Sequence, residues 1–264
     1  MANGKLWVIK IGGNIIDHPE GLSRFLDRFA NLRGHKVLVH GGGKIATRMA
    51  ADLGIEATLV AGRRITDEAM LRVVTMVYAG LTNKQVVAGL QARKCNALGL
   101  SGADGNSIKA VKRPVKDIDY GFVGDILPGS VDDDVIAVLL EKGFIPVFSA
   151  ITHDGEGHLL NTNADTIAAA LAVALSSRYE TSLVYCFEKR GVLRDMYDEN
   201  SVITEIKKAE FEGLQASGVV ADGMVPKLHN AFDAIAKGVR EVCIGHADEL
   251  HLLHEQRFGT RMVK

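Results

Sequence analysis

Short apolar runs alternate along this chain with longer amphipathic segments, and that alternation narrows the fold more than any other feature. KLWVIKI (5–11), KVLVH (36–40), NALGLSG (96–102), FIPVFSA (144–150), TSLVYCF (181–187) and REVCIG (240–245) read as strands. FIPVFSA is apolar almost throughout, as a strand covered on both faces should be. Between them, EGLSRFLDRFANLR (20–33), KIATRMAADLG (44–54), DDDVIAVLLEKG (132–143) and NADTIAAALAVALS (163–176) have helical spacing, as do about 207–217 and 225–237. Residues 67–94 carry a long helical pattern with a break near Gly80, and SIKAVKR (107–113) with YGFVGDI (120–126) suggests a β-ribbon. Strands alternating with helices predict an α/β fold with a mostly parallel sheet and helices on both faces. Ligands of such sheets bind beyond the carboxyl ends of the strands, where most of the glycine clusters of this chain fall.

A length of 264 residues suffices for one large domain or two tightly joined lobes. The net charge of -1 argues against non-specific nucleic-acid binding, which needs clustered positive charge. Cys95, Cys186 and Cys243 are odd in number and far apart, and form no CxxC pair, so they are expected to be buried thiols in a reducing compartment. With no apolar run near the ~20 residues of a bilayer span and a strand starting at once, the expectation is a soluble, cytoplasmic protein without a signal peptide.

The stretch Val39-His40-Gly41-Gly42-Gly43-Lys44 follows a strand and opens a helix, an arrangement that presents backbone N–H groups to an anion. A tight turn using glycine for its backbone freedom is the alternative. It is not a P-loop, because Ile45 stands where the magnesium-binding hydroxyl belongs, and it lacks the third glycine of a dinucleotide fingerprint. Lys10-Ile11-Gly12-Gly13 ends the first strand with a lysine beside two glycines. In NTNAD (161–165), Asn163 suits a helix N-cap and Asp165 the first turn. In DGMVPK (222–227), Lys227 falls on the opening turn of a helix, where a cation is disfavoured unless a polyanion is its partner.

Strand-Lys-x-Gly-Gly, VHGGG, GRRIT, NxNAD, DGMxPK and a terminal GTRM, in this order from Lys5 to Val263, resemble the amino acid kinase family. The resemblance implies a three-layer αβα sandwich. Residues 1–175 would form an N-terminal lobe that binds an N-acylated glutamate and makes the dimer interface, and 176–264 a lobe that binds ATP. It implies phosphorylation of the γ-carboxylate to an acyl phosphate, as in the second step of arginine biosynthesis. N-acetyl-L-glutamate is the expected acceptor, and N-succinyl-glutamate or an N-acyl-aminoadipate the alternatives.

By the same resemblance, Lys10 and Lys227, from opposite lobes, hold the moving phosphoryl and the leaving β-phosphate. Asp165 orients both ammonium groups, and Gly12, Gly13, Gly42 and Gly43 supply backbone donors. Arg64 grips the α-carboxylate, for which a planar guanidinium is suited, and Asn161 bonds the acylated backbone. Magnesium is expected to be held by nucleotide oxygens and water, with no protein metal site. Where the family has a Ser/Thr-Asp-Val-x-Gly turn, this chain has Cys186-Phe187-Glu188-Lys189-Arg190-Gly191. Glu188 and Gly191 are carried over there as nucleotide contacts, with Val219, Val220 and Ala221 as backbone contacts. Lys109, Lys112 and Arg113 are weighed as partners of a second carboxylate and read as solvated charge.

Residues 67–90 carry more apolar surface than one helix face needs, and the resemblance implies homodimers that pair there. Because arginine-inhibited hexameric members carry an additional N-terminal helix, the start of the first strand at Lys5 leads to the expectation of a dimer without arginine feedback. A non-catalytic nucleotide or amino-acid sensor is the reading from another class. Retention of both lysines and Asp165 speaks against it.

Overall fold

The opening apolar run forms β1 (Lys5–Ile11), in which Leu6, Trp7, Val8 and Ile9 are all buried without alternation. Such a run belongs to a strand covered on both faces. The computed structural model describes residues 4–264 apart from 61, 196 and 217–223 and the side chain of residue 226. After β1 come α1 (Gly13–Asp17) and α2 (Pro19–Asn31), with Pro19 in the first turn, where its missing N–H costs nothing. Helix α2 buries Phe25, Leu26 and Phe29.

The chain continues through β2 (His35–His40), α3 (Gly43–Asp52) and the hairpin β3 (Leu59–Val60) and β4 (Arg63–Arg64). Helices α4 (Glu68–Val74) and α5 (Asn83–Gln91) are joined by a π-helical segment, Thr75–Thr82. The break expected near Gly80 is therefore a widened turn inside a continuous helical run. Next come β5 (Ala97–Leu100), the two-residue ribbon β6 (Val111–Lys112) and β7 (Gly124–Asp125), α6 (Asp133–Glu141) and β8 (Ile145–Phe148). The hairpin β9 (Ile151–His153) and β10 (Leu159–Asn161), absent from the sequence reading, leads into α7 (Ala164–Leu175). The last part comprises β11 (Glu180–Phe187), β12 (Glu205–Lys207), α8 (Lys208–Ala216), α9 (Val225–Ala236), β13 (Glu241–His246) and β14 (Thr260–Val263).

The chain packs as two units, one of Met1–Lys36 with Leu171–Lys264, the other of Val37–Ala170. In the first, the strand order is β12-β14-β13-β11-β1. β1, β11 and β13 run parallel, while β14 pairs antiparallel with β13 and parallel with β12. In the second, β2, β8 and β5 form a parallel set. This division differs from the boundary expected at residue 175, since residues 1–36 pack with the C-terminal segment.

One buried charge stabilises the first unit. Lys36, only 7% exposed, donates from Nζ to the carbonyls of Phe29, Ala30 and Leu32 at 2.8, 2.9 and 2.8 Å. Those carbonyls lie at the C-terminal end of α2, where Phe29 O also accepts from Leu32 N at 3.2 Å, and the ammonium meets the negative end of the helix dipole. Lys36→Met keeps the apolar stem and removes the three hydrogen bonds that the ammonium donates. We expect it to cost about 2 kcal/mol, read as a lowered urea midpoint; an unchanged midpoint would rule this cap out as a stabilising contact.

Candidate functional site

Lys10 and Lys227 converge on one aromatic ring in the first unit. Lys10 lies near the end of β1, paired in register with Tyr185 of β11. Residues two apart on a strand share a face, so Phe187 lies on the face of Tyr185, and the two rings stack at 6.2 Å with planes 21° apart. Lys10 Nζ is 5.3 Å from the Phe187 centroid, and Lys227 Nζ, from the first turn of α9, is 3.9 Å from it.

Gly12 and Gly13 lie directly beyond β1. A Cβ on Gly12 would touch only Cys186 O and Phe187 Cδ1, at 3.8 and 4.0 Å, and one on Gly13 would meet nothing within 4 Å. No packing demand excludes a side chain there, which leaves room for a ligand against the backbone. Gly191 has a different reason. A Cβ there would fall 2.7 Å from Thr260 Oγ1 and 2.9 Å from Val202 Cγ1, and the same hydroxyl accepts from Val192 N at 2.8 Å. The terminal GTRM thus locks against this turn as β14. Glu188 is exposed, and Val219, Val220 and Ala221 lie outside the described residues, as do Asp222 and Gly223 of DGMVPK.

In the second unit, VHGGG, GRRIT and NTNAD are tied together. Gly42 has φ +154, and a Cβ on it would stand 3.0 Å from the Tyr78 ring, so that position accepts only glycine. Tyr78 sits on the π-helical segment. Arg64, 8% exposed, donates through Nη2 to Gly43 O at 2.9 Å and to Thr47 Oγ1 at 2.7 Å, and through Nη1 to Met70 Sδ at 3.9 Å. Among the described residues it has no carboxylate partner, so a buried cation is held by neutral acceptors alone. Both Nη2 hydrogens are spent on protein groups, and a bidentate grip on a carboxylate requires that they be released. Burial pushes the Tyr78 phenol up, with the adjacent Arg64 guanidinium opposing the shift. Asn161 Nδ2 donates to Thr66 Oγ1 at 3.0 Å, and Thr66 Oγ1 donates to Arg64 O at 3.2 Å.

Asn163 is the N-cap expected of it, accepting from the backbone N–H of Asp165 at 2.8 Å and of Thr166 at 3.2 Å. Asp165 is half-buried in the first turn of α7. Asp132 caps α6 by accepting from Val135 N, as helix-terminal acids do. Arg113 is engaged by Asp125, with Nε donating to Oδ2 at 3.1 Å. Among the described residues, no group of three or more His, Cys, Asp or Glu is disposed to hold a metal ion. The three cysteines are buried and form no disulfide, and burial pushes the Cys186 and Cys243 thiols far up, which leaves those two inert.

Sequence reasoning missed three groups. Phe187 was part of a noted departure but given no role, although its period-2 relation to Tyr185 placed it on one face with Lys10. Tyr78 carried no motif. His40, the residue before the glycines, carries no sequence signal of its own, yet it is fully buried. Its Nδ1–H donates to Gly41 O at 2.8 Å, and Nε2 accepts from Asn83 Nδ2 at 3.0 Å. Asn83 is held in that sense because Nδ2 also donates to Val147 O and Oδ1 accepts from Lys84 Nζ. A second proton on His40 would set donor against donor.

Burial, with the nearby Lys84 charge, lowers the His40 pKa from 6.5 to about 4 against the raising effect of Gly41 O. The folded state therefore binds this proton later than the unfolded chain does. Its stabilisation is complete above pH 6.5 and is lost as pH falls from there through about 4. We expect a loss of about 2 kcal/mol from this group between pH 7 and pH 5. Comparing urea unfolding at the two pH values should show a smaller difference in His40→Gln; an equal difference would contradict the assignment.

The family model for the amino acid kinase family matches residues 5–246. The acetylglutamate kinase of Bacteroides thetaiotaomicron is 57% identical over 260 residues, covering 98% of this chain and 99% of that protein. The solved structure of smu.665 from Streptococcus mutans superimposes with a TM-score of 0.76 at 26% identity, covering 100% of this chain and 99% of that one. N-acetylglutamate synthase from Neisseria gonorrhoeae, at 24% identity, shares the fold with a TM-score of 0.81 over 98% of this chain and 59% of its own length. No helix among the described residues is long and apolar enough to cross a membrane. With an α/β architecture whose sheet is mostly parallel and flanked by helices, this chain belongs to the amino acid kinase family.

Proposed function

We propose that this protein is a cytoplasmic kinase that transfers the γ-phosphoryl of ATP to the γ-carboxylate of N-acetyl-L-glutamate, giving ADP and an acyl phosphate. The observation that carries this reading is the pair of ammonium groups, Lys10 and Lys227, gathered over Phe187 at the carboxyl ends of parallel strands. The identity to acetylglutamate kinases along almost the whole chain selects the acceptor. Residues 1–175 are assigned to the acyl-amino acid and to pairing as a homodimer, and 176–264 to the nucleotide.

Phosphoryl transfer between a carboxylate and a nucleotide asks the protein for alignment and charge neutralisation rather than covalent chemistry. A carboxylate oxygen attacks the γ-phosphorus while the bond to the β,γ-bridging oxygen breaks, so charge grows on the leaving diphosphate. Lys10 and Lys227 compensate it, and the open backbone at Gly12 and Gly13 lets a phosphoryl group come close. The acceptor is already ionised at neutral pH, so no general base is needed, and Asp165 is read as an organiser. Magnesium would be held mainly by the oxygens of the nucleotide phosphates and by water, and would help to neutralise their charge. Gly42, Gly43, Arg64 and Asn161 are assigned to the amino acid, Arg64 to its α-carboxylate after Nη2 leaves Gly43 O. Glu188, Gly191 and residues 219–221 keep the nucleotide contacts that the resemblance assigns to them.

Trapping the product with hydroxylamine, with N-acetyl-, N-succinyl- and free glutamate as acceptors, tests the reaction and the acyl group together. Hydroxamate from N-acetylglutamate is expected, and its absence with all three would end the reading. Lys10→Ala and Lys227→Ala should each lower kcat on the order of 100-fold with the KM for the amino acid little changed. Arg64→Lys should chiefly raise that KM; the reverse pattern would reassign these residues.

A further inference from the structure

We propose that Phe187 is a positioning residue of the phosphoryl-transfer site, a neutral aromatic platform that holds the ammonium groups of Lys10 and Lys227 where the nucleotide phosphates bind. The inference rests on the kinase reading for its purpose and on geometry for its substance. The two Nζ atoms lie 5.3 and 3.9 Å from one ring centroid, within the ~6 Å over which the negative face of an aromatic quadrupole attracts a cation. The ring is itself fixed. It stacks on Tyr185, and its edge lies beside Gly12, with Cδ1 4.0 Å from where a Cβ on that glycine would be. Lys10, Phe187 and Lys227 are all half-buried, which strengthens the attraction over its value in water.

The chemistry explains why a ring suits this place. Two ammonium groups held close together repel each other. The negative face of an aromatic ring attracts both without adding a charge of its own. Tyr185 is five per cent exposed beneath the platform and keeps the ring from turning away.

The test replaces Phe187 in the full-length protein by 4-fluoro-, 3,5-difluoro- and 3,4,5-trifluorophenylalanine, nearly isosteric rings whose faces are progressively less negative. We expect kcat to fall stepwise, reaching about tenfold in the trifluoro protein. The KM for N-acetylglutamate should not change. Phe187→Tyr should keep most of the rate and Phe187→Leu lose about as much as the trifluoro ring. A flat series, or equal losses in the Tyr and Leu variants, overturns the proposal. A second readout needs no turnover. In protein reductively methylated with 13C, the Lys10 and Lys227 methyl signals should be displaced by the ring current and return to ordinary positions in Phe187→Leu; undisplaced signals in the unsubstituted protein would refute the geometry. Hydroxamate formation by the unsubstituted protein with a flat fluorination series would sink this inference alone, whereas displaced signals without hydroxamate would sink only the kinase reading.

Discussion

Parallel pairing of β1 with β11 is the constraint on which the meeting of Lys10, Lys227 and Phe187 depends. Seven consecutive residue pairs, Lys5 with Glu180 through Ile11 with Cys186, hold the two strands in register. Because successive side chains alternate faces, a slip of one residue would send Lys10 to the other side of the sheet from Tyr185 and Phe187. Along the observed register Leu6, Trp7, Val8 and Ile9 meet Thr181 to Val184, all buried. The apolar core of these strands thus fixes the azimuth of a charged side chain at their end. Helix α9 then only has to bring one turn to the same ring.

The second unit solves a different problem, that of keeping a cation dry without neutralising it. Arg64 is buried among a carbonyl, a hydroxyl and a thioether. An ion pair there would neutralise the charge that the proposed grip on an α-carboxylate needs. The first unit places an aromatic ring beside Lys10 and Lys227. Charges that serve elsewhere as scaffold are treated in the opposite way: Arg113 is matched to Asp125, and Arg261 to Glu205.

His40 and Asn83 show how much of the VHGGG turn is determined by neutral polar groups. A trans peptide points its C=O and N–H in opposite directions, so holding Gly41 O with a fixed imidazole tautomer also fixes where the next N–H points. The histidine can do this only while it carries one proton, and burial keeps it in that state at neutral pH. Tyr78, presented by the π-helical segment, completes the turn from the other side by excluding any side chain at Gly42.

The order of strands and helices, the parallel character of the sheet, the N-cap at Asn163 and the glycine turns were all legible in the sequence. They depend on local periodicity, local hydrogen bonding and backbone freedom, which neighbouring residues decide. The motifs were legible for the same reason, and they sufficed to identify the family. The short strands β3, β4, β9 and β10 and the closing β14 were not, because strands of two to four residues carry no periodicity of their own and exist only through their partners. Nor could the sequence say that one aromatic ring serves both lysines, that both Arg64 Nη2 hydrogens are already engaged, or that His40 is held neutral. Those properties arise from register and burial between segments far apart in the chain, and only the folded structure brings them within the few ångströms over which charges, rings and hydrogen bonds act.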